Sequence, residues 1–303
     1  MDKLEWLKER QRGIGGSDVG AILGVNKWKT PFEVYLEKTE EITEVKETSE
    51  AAYWGTELED LVAKEFTKRT GKKVRRDNKH LIHSKYPFMV ANIDRRVVGE
   101  NSILECKTTN SFNAKEWDGD EVPASYILQC QHYMAVTGAD KCYIACLIGG
   151  QRFIYKEIPR DNELIEMIIA AEKEFWEEHV MKRIPPALDG SSAAEKYLKE
   201  RYSNPTPYSE INLKSECKDM INEYLQLKEN IKALETRLKE IENNIKNELA
   251  DNEKGYVGNY EVNWMPVKVS RVDSKALKEK YPDIYKKVCK ESSYRKFGIK
   301  ECN

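Results

Sequence analysis

The sequence predicts a mixed α/β (α+β) core around a central mixed sheet flanked by helices, followed by a long helix and a small α+β extension. Three observations carry that prediction. Residues 72–108 hold successive short alternating and β-branched runs, and two more such runs, at 142–148 and 152–158, flank Gly149-Gly150. Amphipathic stretches bracket both groups, in the order α-β-β-β-α-β-β-α. Beyond a segment rich in Pro, Ser and Asn, an apolar repeat of 3.5 residues begins.

Taken in order, a polar helical stretch opens the chain and a Gly-rich turn, Gly13 to Asp18, leads into two short helices. Ser17 or Asp18 can N-cap the first, and Pro31 suits the first turn of the second. The acidic segment 40–50 has too little apolar pattern for core and reads as a loop. A helix then spans about 56–69, with Leu58, Val62 and Phe66 at fourfold spacing and Gly71 just past its end. Three or four strands follow over 72–108. Pro123 opens a helix that Gly138 closes, with Ile127, Cys130 and Met134 on one face. The hairpin around Gly149-Gly150 and a helix over about 162–181 complete the first part, 1–185.

Residues 186–216 read as a linker. Over 217–252, Tyr224, Leu227, Ile231, Leu234, Leu238, Ile241 and Ile245 alternate gaps of three and four. That spacing fits an intermolecular coiled coil and equally an amphipathic helix packed on its own domain. The extension, 253–303, holds a hairpin, a charged helix from Ser274 and a basic tail. There is no internal repeat.

At 303 residues the chain has room for about two domains. Its 50 Lys and Arg against 52 Asp and Glu exclude a uniformly basic nucleic-acid coat, though local basic patches are open. No apolar run approaches the ~20 residues of a membrane span, and the first residues lack the apolar core of a secretory signal. A cytosolic protein is expected. Seven scattered cysteines, none as CxxC, read as reduced thiols, and Cys142 with Cys146 as core packing.

The sharpest chemical feature is Asp94 followed by Glu105-Cys106-Lys107. On a strand Glu105 and Lys107 share a face and Cys106 points away. If Gly99-Glu100 forms a two-residue turn, 98 pairs with 101 and Asp94 falls opposite Glu105. Opposed carboxylates repel, and a divalent cation with oxygen ligands would compensate them. The plain alternative has both facing solvent beside Arg95, Arg96 or Lys107, and a loop shifted by one residue would set 94 against 107. Glu59, on the preceding helix, is either near this site or a solvated carboxylate. Gln129 and Tyr133, four apart, share with Tyr126 a helix face distinct from the core face. Arg10 with the Gly-rich turn offers a guanidinium, the Ser17 hydroxyl and helix-start amides, a set suited to phosphate. The runs Lys72-Lys73-Val74-Arg75-Arg76 and Arg95-Arg96 offer a basic lining or merely solvated edges.

Together these residues resemble the YqaJ-like viral recombinases, phage and prophage exonucleases related to lambda exonuclease within the PD-(D/E)xK nucleases. The resembling segments, in family order, are Arg10 to Asp18, Trp28 to Glu33, Trp54 to Glu59, Asp94 with Glu105-Cys106-Lys107, and Gln129 to Gly138. The resemblance implies a PD-(D/E)xK restriction-endonuclease-like core. Asp94 and Glu105 would be the principal Mg²⁺ ligands, with Mn²⁺ as a substitute, helped by the Cys106 carbonyl and Glu59. Lys107 would orient or deprotonate the attacking water, with Gln129 and Tyr133 beside it. Arg10 and Ser17 would hold a DNA 5′-phosphate, and Asn92 stands where a phosphate-binding serine is found. Ile93 and Arg95 depart from the small residue or proline and the glycine that often flank the aspartate. The implied activity is degradation of one strand of a duplex end, 5′ to 3′, leaving a 3′ overhang for a phage single-strand annealing protein. A homotrimer in the bacterial cytoplasm is implied too. Two other readings are a structure-specific or restriction-like endonuclease and a non-catalytic binder of DNA ends.

Overall fold

The computed structural model describes residues 3–42, 49–290 and 294–301. Most of the acidic loop expected at 40–50, and Cys302, lie outside the described residues. The chain divides into two compact units, Met1–Glu200 and Arg201–Asn303. Among the described residues, no helix is long and apolar enough to cross a membrane.

The first unit begins with α1 (Lys3–Arg10), a two-residue strand β1 (Ile14–Gly15) and α2 (Gly16–Ile22). Neither Ser17 nor Asp18 is the N-cap of α2. Gly15 is, and Asp18 at the third helical position reaches back so that its Oδ2 accepts the Gly15 N–H at 3.2 Å. The helix α3 (Pro31–Thr39) starts as expected, with Pro31 in its first turn and the Thr30 hydroxyl accepting from the Glu33 N–H. The long α4 (Glu50–Thr70) buries Val62 and Phe66 and stops at Gly71, where φ is +71°.

The β-rich stretch contains β2 (Val74–Arg76), β3 (Leu81–Ile82), β4 (Met89–Ala91), β5 (Arg95–Val97) and β6 (Ser102–Thr109). Five strands form where three or four are expected, because the run from Pro87 to Val98 is split between two sheets. β4 lies between β1 and β3, whereas β5 pairs with β2 and β6. Asn92, Ile93 and Asp94 make the crossing, which frees Asp94 from any ladder. Next come α5 (Ala124–Thr137), ended by Gly138, then β7 (Lys141–Ile148) and β8 (Arg152–Pro159), which form the expected antiparallel hairpin. The five-stranded sheet runs β2-β5-β6-β7-β8, mixed because β6 and β7 are parallel. After β8, α6 (Asn162–Glu174) continues as a π-helical turn to Met181.

Alternation sorts β6 and β7 between two cores. Ile103, Cys142, Ile144, Cys146 and Ile148 pack with Cys130 and Met134 of α5, and Leu104, Tyr143 and Ala145 pack with Val62 and Phe66 of α4. A strand buried on both faces suits a parallel pair between helical layers. α5 is tied down further by His132, buried in the core, whose ring meets Glu172 Oε1 at 2.7 Å and Val90 O at 2.9 Å. A carbonyl only accepts, so His132 Nε2 carries a proton.

The segment 186–216, expected as linker, contains α7 (Ser192–Arg201), which buries Ala194 and sets Tyr197 edge-on to Phe32 at 5.3 Å. Helical packing therefore extends the first unit beyond residue 185. The second unit holds α8 (Cys217–Leu249), the hairpin β9 (Lys254–Val257) and β10 (Tyr260–Asn263), and two short helices, α9 (Ser274–Lys280) and α10 (Pro282–Val288). The single charged helix expected from Ser274 is thus two, with Tyr281 between them and Pro282 opening the second.

Candidate active site

The register between β5 and β6 decides the site. Arg95 pairs with Leu104 and Arg96 with Ile103, so one further step places Asp94 opposite Glu105, the arrangement the Gly99-Glu100 turn implies. β5 begins at Arg95, and just before it the Asp94 side chain extends the ladder in place of backbone. Its Oδ2 accepts the Cys106 N–H at 2.7 Å. The N–H and C=O of one strand residue point to the same edge, so the Cys106 carbonyl lies on that edge as well. The Cys106 side chain turns to the α4 core, as alternation requires, and burial pushes its thiol well above the usual range.

Glu105 and Lys107 face α5 together. Glu105 Oε1 accepts from Lys107 Nζ at 2.7 Å and from Gln129 Nε2 at 2.8 Å, and Lys107 also donates to Gln129 Oε1 at 3.0 Å. Gln129 Nε2 lies 3.1 Å from the Tyr133 hydroxyl. The Lys107 ammonium sits 4.8 Å from the centre of the Tyr126 ring. Burial disfavours the Lys107 charge, but Glu105, Tyr133 and Asp94 together outweigh it, so the pKa of the ammonium is held well above its ordinary value. Burial, then the Glu105 charge, raises Asp94 well above the ordinary carboxylate value, and the Cys106 hydrogen bond only partly offsets this. These contacts displace the alternative of solvent-facing carboxylates paired with Arg95 or Arg96.

α2 closes the site from the other side. A Cβ on Gly16 would lie 2.6 Å from Tyr133 Cε1 and 3.0 Å from Gln129 Cγ, so only glycine lets the start of α2 approach those side chains this closely. Arg10 Nη2 donates to Ser17 Oγ at 2.7 Å and lies 3.4 Å from Asp18 Oδ1. Asp18 is buried between Lys38 at 2.7 Å and Lys29 at 2.8 Å. Burial opposes its ionisation, yet the charges of Lys38, Lys29 and Arg10 prevail and hold its carboxyl well below the usual range.

Three expected participants are engaged by other partners, Glu59 while still close enough to help raise Asp94. Glu59 accepts from Arg95, whose guanidinium also holds Asp60 and the Asp94 carbonyl. Asn92 is exposed, 3.3 Å from His80 and not joined to Arg10 or Ser17. The expected basic lining is largely neutralised: Arg95 is buried on Glu59 and Asp60, Arg96 pairs with Asp77, Arg76 with Asp60 and Lys72 with Glu100. Sequence reasoning missed Arg95 as the clamp on the Asp94 backbone and Lys29 and Lys38 as the counterions of Asp18. The signal available for Arg95 was its place beside Asp94; a lysine in the Trp28–Glu33 segment was quoted without a role.

The donors present fit a hard divalent cation. Two opposed carboxylates and one carbonyl are oxygen ligands, and among the described residues Asp94 Oδ1 and Glu105 Oε2 accept no hydrogen bond. Burial first, and then the facing Glu105 charge, disfavour the ionised form of Asp94, and a cation held between the two carboxylates would offset both. Among the described residues, no cluster of three or more His, Cys, Asp or Glu side chains gathers as a metal site.

An Asp on the strand crossing and a Glu-x-Lys on the central strand of a mixed sheet between helices give the arrangement expected of a PD-(D/E)xK core. Solved structures share this fold. An alkaline exonuclease (LHK-Exo) from Laribacter hongkongensis is 22% identical, covering 66% of this chain and 97% of its own, with a TM-score of 0.50. The same enzyme in complex with dAMP gives 23% identity, the same coverage and a TM-score of 0.50. Residues 5–140 match the YqaJ-like viral recombinase domain. The uncharacterized protein YqaJ of Bacillus subtilis (strain 168) is 54% identical over 303 residues, 99% of this chain and 95% of the relative. The chain belongs to the YqaJ-like viral recombinase family.

Proposed function

We propose that this chain is a metal-dependent deoxyribonuclease that degrades one strand of linear duplex DNA from its end, 5′ to 3′, leaving a 3′ overhang for annealing-based recombination. The observation that carries the reading is Asp94 set opposite Glu105, with Lys107 and Gln129 both locked on one Glu105 oxygen. Family membership and the alkaline-exonuclease fold support it.

Asp94, Glu105 and the Cys106 carbonyl would hold Mg²⁺, with Mn²⁺ as a substitute. When bound, such a cation lowers the pKa of water and offsets charge on the leaving oxygen. Lys107, held as an ammonium, donates to the charge that builds on the phosphoryl oxygens, which favours orienting over deprotonating the water. Gln129 fixes both Lys107 and Glu105, and Tyr133 fixes Gln129. Arg10 and Ser17, already in contact, would take the 5′-phosphate, because a guanidinium and a hydroxyl suit its oxygens. Glu59 contributes through Arg95, whose guanidinium anchors the Asp94 backbone. Duplex ends, a phage single-strand annealing protein, a homo-oligomeric (trimeric) state and a bacterial cytoplasmic setting complete the proposal.

The test is digestion of a linear duplex labelled separately at each strand end, with and without 5′-phosphate and Mg²⁺, beside Asp94→Ala and Lys107→Ala proteins. Progressive loss of the 5′-phosphorylated strand, absent in both variants and in chelator, is expected. Cutting of a closed circular duplex would replace the reading with an endonuclease, and binding without cleavage would replace it with an end-binding module.

A further inference from the structure

His132 and Glu172 are fully buried, ionisable and unused by the nuclease chemistry. His132 lies on α5 between Gln129 and Tyr133, and Glu172 reaches its Nδ1 from α6 at 2.7 Å. Hydrogen-bond geometry fixes the protons. Nε2 stands 2.9 Å from the Val90 carbonyl oxygen, which only accepts, so Nε2 carries one proton. The contact between Nδ1 and a carboxyl oxygen needs a second, held by the ring or by Glu172. With both in place the pair is neutral as a unit. The other Glu172 oxygen, Oε2, is buried with no hydrogen-bond partner among the described residues, so stability alone does not account for the pair.

Val90 sits on β4 between Gly15 of β1 and Ile82 of β3, four residues before Asp94. Gly15 caps α2, and the next residue, Gly16, is the one that packs on Tyr133 and Gln129. One imidazole therefore ties α5 both to the strand that leads into the Asp94 crossing and to the strand beside it that leads into α2. We propose that the His132–Glu172 pair is a positioning device of the nuclease site, holding α5, with its Gln129 and Tyr133, against the β4 segment that leads to Asp94. The inference rests on the nuclease reading. The hold depends on the proton between Nδ1 and Glu172. Without it two acceptors face each other, and the ring restores that contact only by shifting its Nε2 proton to Nδ1, which releases Val90. Burial opposes a charge on His132, but Glu172 prevails and raises its pKa above the ordinary value. The hold is therefore complete below that raised value and is lost as pH rises through it. Other groups near the ring do not titrate in this interval. Asp18 on α2 is ionised against Lys38 on α3 at 2.7 Å, burial raises the Tyr133 hydroxyl, and burial lowers His83, beyond β3, so that it is already neutral.

The test compares wild type, Glu172→Gln and the double variant His132→Phe with Glu172→Leu, as full chains. kcat and KM are measured on a linear 5′-phosphorylated duplex from about pH 6 to about pH 10, on the alkaline side of an ordinary imidazole, and amide exchange over residues 90–95 is measured in chelator. In Glu172→Gln the carboxamide N–H donates to Nδ1 of a neutral ring while Nε2 keeps its proton on Val90. That hold needs no titrating proton, so the ratio of Glu172→Gln to wild-type kcat should rise with pH. The double variant strands no charge, and it should exchange faster over 90–95 and lose roughly ten- to a hundredfold in kcat with little change in KM. A flat ratio overturns the proposal. So does a folded double variant with wild-type kcat and exchange; if that variant does not fold, the ratio alone decides. Absence of digestion by wild type would fail the nuclease reading and this inference with it, whereas digestion that both variants match at every pH fails this inference alone.

Discussion

The Lys107 ammonium lies 2.7 Å from Glu105 Oε1, two residues back on the same strand face, and the Gln129 amide shares that oxygen. Removing the cation leaves Glu105 held by Gln129 alone, so the carboxylate keeps its place while the positive charge is gone. Lys107→Ala should lower kcat on a linear duplex roughly 10²- to 10³-fold with little change in KM. Initial rates of nucleotide release check this. A parallel rise in KM of the same size would make Lys107 a substrate-binding group instead.

Asp94→Asn should abolish digestion and stabilise the metal-free protein. Asn retains an acceptor for the Cys106 N–H but removes a charge that burial and Glu105 disfavour. The gain should be about 1 kcal/mol, or roughly 2–4 °C in Tm. The sign follows from linkage. The folded pKa of Asp94 is raised, so the folded state binds its proton more tightly than the unfolded chain, and stability falls as pH rises through that interval. The Tm gap between variant and wild type, measured in chelator, should therefore widen as pH rises above the unfolded value, near 3.9. A gap that narrows over that range would contradict the crowding of the two carboxylates.

Gly16→Ala tests the approach of α2 to α5. The added Cβ would meet Tyr133 Cε1 at 2.6 Å, a distance the ring relieves only by moving with Gln129. The expected cost is about 1–3 kcal/mol in stability and roughly ten- to a hundredfold in turnover. Thermal melts with single-turnover digestion measure both. A destabilised enzyme with unchanged turnover would show that the contact is structural only.

Asp18→Asn leaves Lys38 buried without its counterion, while Lys29 keeps Glu37 at 2.6 Å. Urea unfolding near neutral pH should show a loss of about 3–5 kcal/mol. Because the folded pKa of Asp18 is depressed, its contribution is present above the unfolded value, near 3.9, and is lost as pH falls toward the folded one. The difference from wild type should shrink on acidification. A constant difference down to low pH would remove Asp18 as the charge that holds the cluster.

Much of the local architecture was legible because local rules produce it. Gly71 and Gly138 end their helices in the left-handed region, Thr30-Pro31 begins another, and Cys142, Ile144 and Cys146 share a face because strand side chains alternate. Of the two registers the sequence left open, the one with a two-residue turn at Gly99-Glu100 is the one found, and it sets Asp94 opposite Glu105. What escaped were the breaks and the additions. The crossing of 92–94 between two sheets, the strand at Ile14 and the helix at Ser192–Arg201 are set by neighbours distant in the chain, and no local period marks them.

By itself, then, the sequence determined where several helices stop and which strand residues share a face, and it singled out Asp94, Glu105 and Lys107 as candidates for one site, since backbone period and turn length act over a few residues. Only the tertiary structure decided the charge partners. Arg95, read as a DNA-facing base, is buried on Glu59 and Asp60, Asp18 takes Lys29 and Lys38, and Asn92 turns to His80 rather than to Arg10. With charged residues at 34% of the chain, every carboxylate has many candidate cations in sequence. Pairing is fixed by which elements pack together and how far burial strips the groups of water, and those are properties of the folded chain alone.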